Sequence, residues 1–200
     1  GMWEEFARVL PKIWTEEVVS HQGEYFQIPP REVLPKPLQK PHPPLWSACS
    51  SEETTRLAGE LGLGALVGAE GGPDKVGAVL ELYQRSLKNA NPAGGFINNR
   101  NALMTAGFCH ESKSVVEERG LELLTWYLDQ QRARARLVWQ GVDPATVPPD
   151  YQGYYERDQK LAAGPHPGDP TAQDVLSRGT SFCLGTPDEC ITFLESYEAM

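Results

Sequence analysis

Leu45-Trp46-Ser47-Ala48-Cys49-Ser50-Ser51-Glu52-Glu53-Thr54, followed by Leu57-Ala58-Gly59-Glu60-Leu61-Gly62, is the stretch whose reading decides the fold. It reads as a short buried strand running straight into a helix. Ser51 is the expected N-cap, because its hydroxyl can accept from free N–H groups of the first turn. Thr54, three residues on, turns back toward the same end. Several hydroxyls and unpaired N–H groups then converge where the helix dipole is positive, which is a receptor for a phosphate or another anion. Glu52 and Glu53 are ordinary first-turn acids that oppose an anion, and a plain capped helix is the alternative reading.

Outward from this corner, strands and helices alternate. Leu63-Gly64-Ala65-Leu66-Val67-Gly68-Ala69 is a second short apolar strand, ended by Glu70-Gly71-Gly72-Pro73. Pro73 starts a helix at its favoured first position, with Val76, Val79, Leu80, Tyr83 and Leu87 on one stripe. Asn89-Ala90-Asn91-Pro92 breaks it. Residues 96–108 read as a third strand centred on Asn101–Phe108, with Cys109-His110-Glu111 at its end. Ser114 and Glu117 have capping-box spacing for a long helix to about Gln140, with Val116, Leu124, Tyr127, Leu128 and Leu137 inward and Arg132, Arg134 and Arg136 on a solvated face. Residues 141–170, rich in Pro, Gly, Asp and Tyr, read as an irregular surface insertion. Ser181–Gly185 is a short extended piece. Thr186, Pro187 and Glu189 then start a last helix. Strands separated by helices argue for parallel βα units, and no repeat of about 20–50 residues is present.

On the N-terminal side, Trp3, Phe6, Val9, Leu10, Ile13 and Trp14 recur at helical spacing, and Pro11 should kink that helix. Val18–Ile28 reads as a small hairpin or an excursion around Gly23, with His21 a turn residue rather than a catalytic one. Seven prolines between residues 29 and 44 forbid helix and central strand. That stretch is an extended connector, with Leu34, Leu38 and Leu45 interleaved as if to dock. A free proline-rich ligand segment is the runner-up.

Composition sets limits. The 200 residues are 40% hydrophobic and 22% charged, a globular composition. The net charge of -9, with no basic run, argues against nucleic acid and anionic membranes as partners. No apolar run approaches the roughly 20 residues that span a bilayer, and no secretory signal is read at Gly1-Met2-Trp3-Glu4-Glu5. Four dispersed cysteines form no CxxC pair, so a disulfide framework or zinc ribbon is not expected and a reducing cytoplasm is. Cys49 and Cys183 lie in apolar runs and read as core residues. Cys109, His110 and Glu111 suggest a metal hydrolase only at first sight, since three consecutive side chains diverge; no metal site is expected.

His21-Gln22-Gly23-Glu24-Tyr25-Phe26 with Ile28-Pro29-Pro30, the run Leu34–Trp46, the cluster Ser50–Thr54 before Leu57-Ala58 and Gly62-Leu63-Gly64, the Leu82–Arg85 helix and the Leu184–Glu189 turn together resemble the bacterial-luciferase-like flavin-dependent monooxygenases. The resemblance spans most of the chain and implies a (β/α)8 barrel with flavin at the strand C-termini. It implies FMN, or F420 in some branches, as cofactor and a small molecule as substrate. It places the flavin phosphate on Ser51 and Thr54, with Cys49 and Ser50 alongside through their main chain. It also implies that residues 1–200 are one incomplete barrel domain, about the second half, beginning in the helix after the fourth strand. No catalytic residue carries over, because the ring-contacting residues belong mainly to the missing half. Unpaired strand edges and an uncovered inner face then imply a homodimer or higher homo-oligomer.

Overall fold

The structure, a computed structural model, describes residues 1–164, 171–178 and 181–198. It is α/β, with parallel strands joined through helices as in part of a TIM barrel. Two units are distinguished, residues 1–105 and residues 106–199.

In the first unit, β3 (Trp46–Ala48), β4 (Gly64–Gly68) and β5 (Asn101–Met104) form a parallel sheet in that order. The register sets Ala48 beside Leu66 and Leu66 beside Ala102. Side chains alternate across the pleat. Ser47, Ala65 and Val67 are buried on one face; Trp46, Ala48, Leu66, Ala102 and Met104 are exposed on the other. The connections are α2 (Glu52–Glu60) and α3 (Gly72–Leu87), which pack on each other. Their crossing is close at Gly59, where a Cβ would lie 2.8 Å from the Tyr83 carbonyl oxygen and 2.9 Å from the Leu87 nitrogen.

A Schellman motif ends α2. Leu63 N–H donates to the Ala58 carbonyl (2.9 Å) and Gly62 N–H to the Gly59 carbonyl (3.0 Å), with Gly62 left-handed at φ 64°. This turn drops Leu61 and Leu63 into the core with Ala7 and Leu45. Tyr83, fully buried on α3, shares its hydroxyl proton between the Leu63 carbonyl (2.9 Å) and the Asn98 carbonyl (3.0 Å). Asn98 in turn donates from Nδ2 to the Leu45 carbonyl at 2.9 Å. One buried phenol therefore pins the start of β4 to the approach of β5. Losing it would strip the Leu63 carbonyl of this donor and leave the Asn98 carbonyl only the Arg100 N–H, at a cost of roughly 1–3 kcal/mol.

Ahead of the sheet, α1 (Met2–Thr15) continues through Pro11 without interruption, where a kink was expected. Pro11 is buried, and Thr15 returns a hydroxyl bond to its carbonyl at 2.9 Å. Val9 is buried as expected, but Trp3 and Phe6 are exposed. The hairpin expected at 18–28 is β1 (Val18–Gln22) paired antiparallel with β2 (Gln27–Glu32). Its turn is tied to α1 by Glu5, whose carboxylate accepts from Glu24, Tyr25 and Phe26 N–H groups and meets His21 Nε2 at 3.0 Å. Burial alone would raise the Glu5 carboxyl. The His21 ring and the Phe26 and Tyr25 N–H groups outweigh burial and hold it below the usual carboxylate range. His21 is thus a half-buried structural partner.

The proline connector is irregular from residue 33 to 45. Of the three leucines expected to dock, only Leu45 packs inward; Leu34 and Leu38 are exposed, Leu38 at 94%. The connector is held instead by polar anchors. Lys36 Nζ donates to the last carbonyls of α1, Ile13 and Glu16. Buried His42 accepts the Gly95 N–H at Nε2 (2.8 Å), which assigns its proton to Nδ1 facing the Pro43 carbonyl (2.7 Å), and its ring stacks on Phe96.

The second unit begins with a correction. Residues 96–108 are not one strand: β5 ends at Met104, and β6 (Gly107–Cys109) pairs in parallel with β7 (Cys183–Gly185). The two halves serve different ladders, so the pairing breaks at Thr105-Ala106. The long helix starts at Lys113 with Ser112 as N-cap, rather than at a Ser114–Glu117 box. It runs as α4 (Lys113–Val115), a π-turn (Val116–Gly120) and α5 (Leu121–Val138). Val116 and Leu124 are buried as expected, whereas Leu137 is 69% exposed and Ala135 takes the inward position.

The 141–170 segment is not wholly irregular, since it contains α6 (Gln152–Ala163). The arginines of α5 explain why this helix docks: Arg136 Nε donates to the Ala162 carbonyl (2.9 Å) and Arg134 reaches Asp158 at 3.4 Å. Asp158 is 2% exposed, yet it also accepts from Arg157 and from Trp139 Nε1 at 3.0 Å. Burial alone would raise its carboxyl; Trp139 and Arg157 prevail and hold it low. Arg134 and Arg136 are exposed, as the solvated-face reading expects, and from that face they also make these bonds to α6. After α7 (Ala172–Arg178) and β7, α8 (Pro187–Glu198) begins with the expected Thr186 box, the Glu189 carboxylate accepting from Thr186 N–H at 2.8 Å. Its expected extension to Met200 lies outside the described residues.

Candidate functional site

β3 does turn directly into α2, and it does so at the carboxyl end of a parallel sheet, the end at which barrels of this class build their sites. Ser51 caps α2 with extended backbone (φ -141°, ψ 163°). Thr54 N–H donates to Ser51 Oγ (3.2 Å), and Ser51 N–H donates to Thr54 Oγ1 (3.1 Å), which closes a reciprocal box. The hydroxyl oxygens lie 3.1 Å apart. Each hydroxyl accepts a main-chain bond; Thr54 Oγ1 also lies 3.1 Å from the Ser51 carbonyl, to which it donates, so a ligand at this corner draws on the Ser51 proton or displaces that bond.

Ser50 and Ser51 are exposed and Thr54 is half-exposed, so the corner faces outward. The N–H groups of Glu52 and Glu53, at the first two helical positions, have no carbonyl one turn back to meet. Two hydroxyls and two helix-start amides are thus gathered on one surface point, with exposed Ser50 next to them in the chain. Glu52 and Glu53 carboxylates are exposed at the same end and lower its appetite for an anion.

Cys49 differs from expectation. Its N–H is committed to the Leu66 carbonyl (2.8 Å) as the last rung between β3 and β4. Its thiol is buried, and burial pushes it above the ordinary thiol value against a smaller opposing effect of the Thr55 hydroxyl. Cys49 therefore positions the corner and offers no main-chain donor to a ligand. Thr55, also buried, donates to the Ser51 carbonyl at 2.8 Å and fixes the corner from below.

A neighbouring feature was read in the sequence only as a strand terminator. β4 is adjacent and parallel to β3, so its carboxyl end lies on the same rim. There Gly71 (φ 102°) and Gly72 (φ 78°) turn the chain into α3, a second helix start. Both positive φ angles favour glycine. Two glycines before a first-position proline, next to a strand end, were the available signal. In the other unit, Cys109, His110 and Glu111 are exposed, and His110 Nδ1 accepts the Ser112 N–H at 3.0 Å. Among the described residues, no group of three or more His, Cys, Asp or Glu side chains is arranged to hold a metal ion. No helix among them is long and apolar enough to cross a membrane.

Comparison with known proteins agrees with this geometry. Residues 1–200 match the family described as luciferase-like monooxygenase. A stretch of 58 residues is 36% identical to the FMNH(2)-dependent dimethylsulfone monooxygenase of Pseudomonas putida, covering 29% of this chain and 16% of that protein. In fold, the chain is similar to the monooxygenase RslO1 from Streptomyces bottropensis (TM-score 0.58, 19% identity, 95% of this chain and 47% of that one). It is likewise similar to the coenzyme F420-dependent tetrahydromethanopterin reductase from Methanopyrus kandleri (TM-score 0.61, 14% identity, 98% and 54%). It thus spans about half the length of those structures. With the family matched along the whole sequence and parallel strands ending in helix starts, this chain belongs to the luciferase-like monooxygenase family.

Proposed function

We propose that the chain carries the flavin-phosphate corner of a flavin-dependent monooxygenase, with FMN as the first cofactor, F420 as the alternative and a small organic molecule as substrate. The observation that supports this most is the outward-facing Ser51–Thr54 box at the carboxyl end of β3. The hydroxyls of Ser50, Ser51 and Thr54 and the N–H groups of Glu52 and Glu53 hold the phosphate; the α3 start at Gly71-Gly72 adds its dipole from the adjacent strand end. When bound, reduced flavin supplies the electrons that activate oxygen. This chain's residues anchor and orient its charged tail. The FMNH(2) dependence of the Pseudomonas putida protein favours FMN, and the F420 dependence of the Methanopyrus kandleri reductase keeps the alternative in play. Titration of the purified chain with FMN is expected to quench flavin fluorescence and raise the unfolding temperature. Neither response, with FMN or F420, would overturn the reading.

The exposed sheet face supports a proposal about assembly. Trp46, Ala48, Leu66, Ala102 and Met104 form a continuous apolar surface, and β3 has no strand on its second edge among the described residues. The chain exposes 12781 Å² for 22.1 kDa. Even two separate compact bodies of half that mass would expose only about 11,300 Å². The excess, roughly 1,500 Å², matches one partner's share of an obligate homodimer. The occupant is a second copy of this chain. Light scattering at about 5 μM should give twice the chain mass, and Leu66→Asp should shift it to monomer; a monomeric parent chain contradicts the proposal.

This assembly also frames the second reading, a non-catalytic module that keeps the fold without the site. A dimer that binds neither FMN nor F420 would favour it.

A further inference from the structure

Three of the four cysteines lie in the second unit. The parallel register sets Gly107 beside Cys183 and Cys109 beside Gly185. Alternation then puts Cys109 and Cys183, two rungs apart, on the same face of the β6–β7 pair. Cys190, in the first turn of α8, lies with its Sγ 3.6 Å from the Gly185 carbonyl oxygen. A Cβ at Gly185 would lie 3.6 Å from the Cys190 nitrogen, so the start of α8 packs over the face that carries Cys109 and Cys183, and the Cys190 thiol interacts electrostatically with both. The three differ in access: Cys109 is exposed, Cys183 half-buried and Cys190 buried. Both ends of this arrangement are braced. Cys190 N–H donates to the Thr186 carbonyl, His110 N–H to the Gly185 carbonyl, and Lys113 pairs with Glu189.

Ordinary core packing accounts for a buried thiol, but not for three thiols of which one opens to solvent. A metal centre is not the reading, since these residues are not arranged to enclose an ion. We propose that Cys109 and Cys190 are an oxidisable thiol pair, closed to an intrachain disulfide by hydrogen peroxide. The exposed Cys109 thiolate attacks one peroxide oxygen. The O–O bond breaks, a sulfenic acid forms, and the leaving hydroxide takes up a proton as water. Cys190 then attacks the Cys109 sulfur; the S–S bond forms, the S–O bond breaks, and a second water leaves. Two thiols and one peroxide thus give one disulfide and two waters, with two electrons passing from sulfur to oxygen. Cys183, half-buried and less open to solvent than Cys109, is a bystander in this step.

Desolvation, followed by the Cys190 thiol, raises Cys109 above the ordinary thiol range; desolvation, followed by the Cys183 thiol, raises Cys190 against a smaller opposing effect of Cys109. The attacking thiolate is therefore scarce at neutral pH. Below the thiol pKa its fraction, and with it the rate, climbs about tenfold per pH unit.

The reduced full chain is treated with excess hydrogen peroxide between pH 7 and pH 9, quenched, alkylated and digested with trypsin and then Glu-C, which cuts after Glu189 and separates Cys183 from Cys190. Titratable thiols should fall from four to two, with a Cys109–Cys190 cross-link that forms about tenfold faster per pH unit. Cys190→Ser should leave Cys109 as a sulfenic acid trapped by dimedone, while Cys183→Ser should leave the cross-link intact. A Cys183–Cys190 link with Cys109 free, over-oxidation of Cys109 with Cys190 still alkylated, links only between chains, or four surviving thiols would each overturn the proposal. The wild-type cross-link map decides the matter even if a variant misfolds.

Discussion

Gly59→Val is expected to destabilise the first unit by roughly 3 kcal/mol or more, and Gly59→Ala by about 1–2 kcal/mol, against the sign that helix propensity predicts. In an open helix position, glycine to alanine stabilises by about 1 kcal/mol. Gly59 is not open. A Cβ there would stand 2.6 Å from Ser86 Cβ, 2.8 Å from the Tyr83 carbonyl oxygen and 2.9 Å from the Leu87 nitrogen. Two of these three atoms are backbone, so α3 as a whole must move. That movement drags Tyr83 off the carbonyls of Leu63 and Asn98, which it holds at 2.9 and 3.0 Å. Packing therefore outweighs propensity. Gly77, also within α3 but with nothing near its would-be Cβ, is the control, and Gly77→Ala should stabilise by up to about 1 kcal/mol. Urea midpoints of the three variants check the pattern. Equal behaviour of Gly59→Ala and Gly77→Ala would mean that the helices do not cross as described.

The double variant Ser51→Ala, Thr54→Val should weaken FMN binding by roughly a hundredfold or more. Each hydroxyl bond to a charged phosphate is worth about 1.5–3 kcal/mol, and 1.4 kcal/mol is tenfold in affinity. The same change removes both arms of the capping box, so it also costs about 1 kcal/mol or more of stability. The two effects are separated by Thr54→Ser, which keeps a hydroxyl at the site and should bind FMN within a few-fold of the parent. Isothermal titration below the unfolding temperature of each variant reads the difference. Unchanged affinity in the double variant would remove the phosphate from this corner and favour the non-catalytic reading.

The strand-to-helix corner was legible because its determinants are local. A hydroxyl residue at the cap, a second one three positions on and an apolar run just before them leave the backbone little choice, and Ser51 and Thr54 form the box that their spacing implies. The hairpin around Gly23 and the Thr186 start of α8 were legible for the same reason. The errors fall where local signals compete with distant partners. Residues 101–109 have one continuous strand-like composition, yet they serve two ladders, because β4 and β7 claim different halves of them. Leu38 looks like an anchor by spacing but finds no pocket, and Lys36 and His42 anchor the connector by bonds to backbone atoms 20 or more residues away. The helix at 152–163 was hidden by flanking Pro and Gly; its docking depends on Asp158 meeting Arg134 from another helix.

The sequence by itself determined the alternation of strands and helices, the capped corner and the family to which the chain belongs, since each follows from residues within a few positions of one another or from their order. Only the tertiary structure decided which atoms are committed and which are offered. It spent the Cys49 amide on the sheet, turned Ser51 and Thr54 outward, set a second helix start beside them, and gathered Cys109, Cys183 and Cys190 around Gly185. Hydrogen-bond partners and solvent access are properties of groups brought together in space, and spacing along the chain does not encode them.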